Sequence, residues 1–262
     1  MENDPVILRH IRAHVGHHNW FAVAIDLAIV VIGVFIGTQA NNWNQARIDR
    51  GRAREERQML LQDLHANEGN LEMRKHYLGW VRGEALKALG EVSGPQGGLG
   101  EQFLISSYQA SQILPWSFQR NTYDQLLATG DIANIGDADL RGRVATFYAG
   151  TEVTGANLAT QPPYRETLRR IMPYAAQQLI RGRCGEKISE NAEGEPVMIL
   201  PGACTLGMRP DAVRQAVRQV YGTTGLGLDL NRQLVDLDQK LISIDVILRR
   251  SRALGAAIRK VS

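Results

Sequence analysis

The residues of this 262-residue chain whose types could do chemistry are two cysteines, a run of four histidines and a cluster of four aspartates. Cys184 and Cys204 bracket a stretch rich in Gly and Pro, RGRCGEKISENAEGEPVMILPGACTLG. Neither belongs to a CxxC pair and no histidine lies near them, which argues against a zinc site. A disulfide between them would close a loop of about twenty residues, stabilising the fold by roughly 3 kcal/mol in the chain-entropy estimate. The alternative is two free thiols in a reducing compartment, and the choice depends on which side of a membrane the loop lies.

His10, His14, His17 and His18 fall at successive spacings of four, three and one, partly matching one helix face. Such a cluster could hold a metal or the edge of a haem. Interfacial placement, with His and Arg turned toward lipid headgroups, accounts for them as well and is the plainer reading. Asp124, Asp131, Asp137 and Asp139 gather around one predicted turn, where two carboxylates could share acid–base work. Asp137, however, is placed to cap a helix, and the others read as solvated. The strings GGLG and GTTGLG are neither GxGxxG nor a P-loop, and no strand precedes them. HExxH, GxSxG and the kinase set are missing. The expectation is a protein that is not an enzyme, with no catalytic, cofactor-binding or metal-binding residues.

The elements that position these residues begin with WFAVAIDLAIVVIGVFIGTQA, which carries one ionisable residue, Asp26. At about 1.5 Å per residue this run crosses the roughly 30 Å hydrocarbon core of a bilayer. Trp20 and Trp43 would stand about 34 Å apart on a continuous helix, a separation that suits interface anchors in the two aromatic belts. A cleaved signal peptide fits less well, because the apolar run is long and TQA is a poor cleavage site. Asp26 and Gly33 are seven residues apart, and Gly37 extends Gly33 into a GxxxG pattern. Small residues allow close helix approach, and an acid facing lipid is costly, so Asp26, Gly33 and Gly37 read as a transmembrane packing seam.

Orientation is contested. Arg9 and Arg12 precede the helix, whereas Arg47, Arg50, Arg52, Arg54 and Arg57 follow it, so the positive-inside rule places the large domain in the cytoplasm. A short basic tail before an apolar helix is instead the form of a signal anchor, and the cysteine pair leans the same way. The expectation is a periplasmic domain. A formal charge of +3 without a dense basic patch excludes nucleic acid as a partner. Membrane lipid is expected as a partner, together with another membrane protein or a homo-oligomer.

Residues 1–19 thus form a tail, 20–43 the transmembrane helix and 44–262 an extramembrane helical domain containing a loop at 183–209. Leu64, Leu71, Leu78 and Ala85 recur every seven residues, with Leu60, Leu61 and Leu89 beside them. The position one heptad before Leu64 is Arg57, so the stripe begins at Leu60, and the anchor helix is expected to run on to about Glu91. SGPQGGLG then breaks it. A short helix follows from Phe103 to Leu114. Asn121 is expected to cap TYDQLLATG, with Gly130 as its stop, and Tyr123 and Leu126 face the core. Asp137 caps ADLRGRVATFYAG, which is expected to bend at Pro162 and Pro163 and run through YRETLRRIMPYAAQQLI. Pro210 opens another helix. A last helix, about Leu228 to Lys260, carries Leu230, Leu237 and Ile244 alongside Leu234, Leu241 and Leu248 as a two-series seam. With no strong strand pattern, the predicted fold is all-α: one transmembrane helix continuing into a helical bundle with a long C-terminal helix.

Two stretches, NWFAVAIDLAIVVIGVFIGTQANNWNQAR at 19–47 and NTYDQLLATGDIANIGDADLRGRVATFYA at 121–149, resemble an uncharacterised family of bacterial single-pass membrane proteins. That family has an apolar N-terminal helix ending in an NNWNE-like motif and a downstream block of the form tYeeLkssG…I…LR..L..yY. Gln45 stands here where the family carries an acid. The resemblance implies the anchored architecture and a Gram-negative inner-membrane setting, and it adds no activity. The expected role is a non-enzymatic scaffold or accessory subunit, assembling with itself or with a larger inner-membrane complex. An envelope sensor signalling through a partner is the alternative. Converging carboxylates in a deep polar pocket would point to an enzyme, a flat apolar patch or a partner helix against Gly33 to the scaffold, and a concave pocket without such converging carboxylates to the sensor.

Overall fold

The computed structural model describes residues 20–95, 98–190 and 196–261. The chain divides into two units, Met1–Glu55 and Glu56–Ser262. One helix, α1, runs without a break over Trp20–Ser93. Residues 44–55, expected in the extramembrane part, belong to the first unit as a continuation of that helix.

The second unit is an all-helical bundle with one small hairpin. From Glu56 onward α1 buries the predicted stripe, Leu60, Leu64, Leu71, Leu78 and Ala85, together with Tyr77, Val81 and Ala88. Each leucine so removed from water stabilises the fold by about 1.5–3 kcal/mol relative to exposure. The remaining helices are α2 (Glu101–Ala110), α3 (Asn121–Thr129), α4 (Ala138–Ala159), α5 (Pro163–Ile171), α6 (Tyr174–Cys184), α7 (Pro210–Tyr221) and α8 (Leu226–Arg259). Strands β1 (Lys187–Glu190) and β2 (Pro196–Ile199) pair antiparallel with Ile188 opposite Met198. This hairpin, which the sequence did not announce, lies inside the cysteine-bracketed loop.

α8 packs antiparallel to the second-unit part of α1. Glu68 accepts from Ser251 (2.8 Å), while Glu72 pairs with Arg252 (2.7 Å), Lys75 with Asp245 (2.7 Å) and Arg82 with Asp238 (2.5 Å). From Glu72 through Lys75 to Arg82 the partners run back from Arg252 through Asp245 to Asp238, which fixes the direction. The predicted seam is buried at Leu230, Leu237, Ile244 and Leu248, with Leu234 at its edge and Leu241 only partly covered. Intramolecular packing thus uses this stripe.

Several helix ends differ from the expected ones. The helix expected to bend at Pro162 and Pro163 is three helices. α4 stops at Ala159, Pro163 opens α5, and Pro173 separates α5 from α6. Proline has no N–H and disfavours helical geometry in the residue before it, so each one ends a helix and starts the next. Asp137 caps α4 as expected, accepting from Leu140 N at 2.8 Å. Asn121 is not a cap but the first residue of α3, and Arg120 at the cap position makes no side-chain cap bond. The orphan N–H of Thr122 is taken instead by Asp63 of α1, 3.1 Å away. Gly130 ends α3 with φ of 80°, a left-handed conformation that costs glycine little.

Candidate functional site

Three features of the sequence reading can be placed, beginning with the anchor half of α1. Residues 24–47 are exposed throughout, and an 18-residue window of mean hydropathy 1.7 within this helix has none of its surface buried. The helix is long and apolar enough to cross a membrane. Asp26, Gly33 and Gly37 lie in this exposed stretch. A methyl group built on either glycine would meet nothing within 4 Å, so the close-approach face is open. Thr38 donates its hydroxyl to Phe35 O at 2.8 Å, so that group is paired within the helix. Trp43 is exposed, and Trp20 is the first residue of α1. His10, His14, His17 and His18 lie outside the described residues.

The second feature is the cysteine loop. Cys184 and Cys204 form a disulfide with Cα atoms 5.7 Å apart, Cys184 being fully buried. α2 holds both halves of the bridge from one face. Gln102 Nε2 donates to Cys204 O (3.0 Å), and Gln109 Nε2, seven residues on, donates to Cys184 O (2.5 Å). At the start of the same helix the Glu101 carboxylate accepts from Leu206 N (2.7 Å) and Met208 N (2.8 Å). Partial burial pushes this carboxyl up. The N–H groups of Met208, Leu206 and Gly207 and the charge of Arg183 outweigh that and hold it below its ordinary value. Arg183 in turn donates to Leu206 O.

The third feature was not read from the sequence. α8 buries one heptad stripe and exposes another: Leu228, Val235 and Ile242 are 75%, 68% and 59% exposed at seven-residue spacing. These three large apolar side chains lie in water along one line of the helix, on the side away from the buried seam. Its signal was present in the sequence, but the two buried series drew the whole helix into one seam.

The aspartate cluster does not converge. Asp124 pairs with Arg120 at 2.9 Å, Arg120 also reaches Glu152 at 3.1 Å, Asp139 lies 3.9 Å from Arg143, and Asp137 is occupied as a cap. The bonds of these three aspartates are local, and only the Arg120–Glu152 pair reaches from one helix to another. Among the described residues no group of three or more His, Cys, Asp or Glu is arranged to hold a metal. Tyr123 and Leu126 are buried as expected, and Tyr123 stacks on Tyr148 with ring centroids 4.3 Å apart.

A second missed pattern lies on α1, where Asp63, Asn67, Asn70 and Arg74 recur at helical spacing beside the apolar stripe. Arg74 donates to Asn70 Oδ1 (2.6 Å), Leu114 O (3.3 Å), Pro115 O (2.5 Å) and Ser117 Oγ (3.1 Å). Asn67 bonds the backbone of Gln119 in both directions. This polar line binds the non-helical connector 111–120 to α1 and supplies the buried backbone groups that no ladder satisfies. Arg57, read as the break in the stripe, is also buried and donates to Ile135 O at 3.3 Å. Comparison of the chain with protein-family models, with curated proteins and with solved structures finds no match.

Proposed function

We propose that this protein is a non-enzymatic helical scaffold, held in the bacterial inner membrane by the first part of α1, whose working partner is a second copy of itself. The observation that carries this reading is the exposed Leu228–Val235–Ile242 line on α8. Two copies anchored in one membrane face the same way, so a two-fold axis along the membrane normal relates them, and only a residue beside that axis meets its own counterpart. Val235, the middle of the line, is placed for that position. Confinement to the bilayer raises the effective concentration of the second copy, so a modest apolar stripe suffices. Within the first unit, the open Gly33/Gly37 face is a separate surface on which a transmembrane helix can pack closely.

The periplasm is the compartment this reading assigns to the second unit. The disulfide favours it. Resistance of Cys184 and Cys204 to alkylation in intact cells, until a reductant that cannot enter the cytoplasm is added, is the expected topology result.

Assembly is tested by oxidative crosslinking of Val235→Cys in native membranes. The native cysteines are already paired, so the new thiol is free to react with its own copy. A covalent dimer is expected for Val235→Cys and not for Val153→Cys, which is equally exposed on α4. Equal yields from the two variants would reject a specific α8 contact. A second reading, a ligand-binding module that signals through a partner, is favoured by one observation, a partly open cavity beside Arg74.

A further inference from the structure

A partly open cavity lies between α1, α8, the connector 111–120 and the end of α4, and measures about 210 Å³. At roughly 30 Å³ per water this is room for about seven waters, or for a small organic molecule. Leu78, Leu158, Leu237, Ile244 and Trp116 make most of its wall apolar. Inorganic ions gain nothing from such walls, whereas an apolar body does.

Two cations line the same space, Arg74 and Lys240. Arg74 is buried, and each of its hydrogen-bond partners is neutral: a side-chain amide, two carbonyls and a hydroxyl. Its guanidinium also lies 5.3 Å from the Trp116 ring centroid. No ion pair to either cation is formed among the described residues. A buried charge without a counter-charge is costly, and an anion in the adjoining space would offset that cost. Lys240 donates to Thr160 O at 2.8 Å, which leaves two of its three N–H groups for a ligand. Burial lowers the pKa of both cations, the direction expected of groups held away from water; Asp236 partly opposes this at Lys240. Asp236 is the one carboxylate on the cavity wall, and it would repel a multiply charged anion more than a singly charged one.

We propose that this cavity binds a small monocarboxylate with an apolar body, its carboxylate met by Lys240 and Arg74 and its body by Leu237, Ile244 and Trp116. The site stands on the cavity alone and holds whether or not the chain self-assembles.

The test is fluorine NMR of 4-fluorophenylacetate added to the full-length chain in lipid nanodiscs, with empty nanodiscs as the partition control. Saturable binding at one site per chain is expected. Affinity should fall at least tenfold for Lys240→Met, which keeps most of the apolar stem, and rise for Asp236→Asn. The neutral 2-(4-fluorophenyl)ethanol should bind at least tenfold more weakly than the acid, and inorganic phosphate should fail to displace the acid at equal concentration. Absence of saturable binding to the unaltered chain would overturn the proposal. So would equal binding of the alcohol, unchanged affinity in a folded Lys240→Met, or displacement by phosphate. If Lys240→Met does not fold, the response of Asp236→Asn decides in the same way.

Discussion

Asn67 holds the backbone of Gln119 in both directions: its Oδ1 accepts from Gln119 N and its Nδ2 donates to Gln119 O, each at 2.7 Å. One side-chain amide thus does for the connector what a strand partner does in a sheet. Asn67→Leu keeps the volume and leaves two backbone groups without their partner, so a loss of about 2 kcal/mol is expected. Chemical unfolding followed by tryptophan fluorescence measures it, and a change within 0.5 kcal/mol, the usual range for surface substitutions, would show the clamp to be incidental.

Gly155 gives a second expectation. A Cβ built there would stand 2.3 Å from Trp116 Nε1, so the indole lies directly on the α4 backbone. Alanine favours an exposed helix interior by about 1 kcal/mol over glycine. Here overpacking should dominate, with a net loss of about 1–2 kcal/mol and a shifted tryptophan emission. A more stable Gly155→Ala variant with unchanged emission would place the indole elsewhere.

The disulfide closes a loop with a sequence separation of 20, for which the chain-entropy estimate is about 3 kcal/mol. Replacing Cys184 and Cys204 together by serine should cost about that amount. The bonds from Gln102 and Gln109 to the two carbonyls are expected to keep the loop in place, so its protease resistance at low temperature should persist. Rapid cleavage of the loop in the double variant would show that the glutamines do not hold it.

Acid should loosen the same loop. Glu101 is held below its ordinary pKa in the fold, so its contribution is complete above the unfolded carboxylate pKa. That contribution is lost as pH falls through the lower, folded value. Glu101→Gln should therefore be less stable at neutral pH and approach the parent protein in acid. Parallel stability curves for the two proteins across that window would contradict this assignment.

The sequence announced the elements whose signals are local. The heptad of Leu64, Leu71, Leu78 and Ala85, the Asp137 cap, the Gly130 stop and the apolar run before Trp43 each follow from neighbours a few residues apart. The connector 111–120 was not legible, because Arg74 and Asn67 hold it from 40 to 52 residues away, and no periodicity reports such a contact. Asn121 misled for the same reason: its expected capping role is filled by Asp63, a residue distant in the chain. The cavity is a product of four segments meeting, and only Arg74, the cation at the end of the polar line on α1, carried a trace of it. The exposed line on α8 could have been found by asking which apolar positions the buried seam left over.

The central claim, that copies of this chain assemble through that line, is tested most directly by counting subunits in nanodiscs formed from native membranes by mass photometry. The parent protein is expected at two copies per disc and Val235→Glu at one, with anchoring and fold unchanged, because a charge at the contact must be desolvated against its own counterpart. One copy per disc for the parent protein, or two for both, would contradict the account.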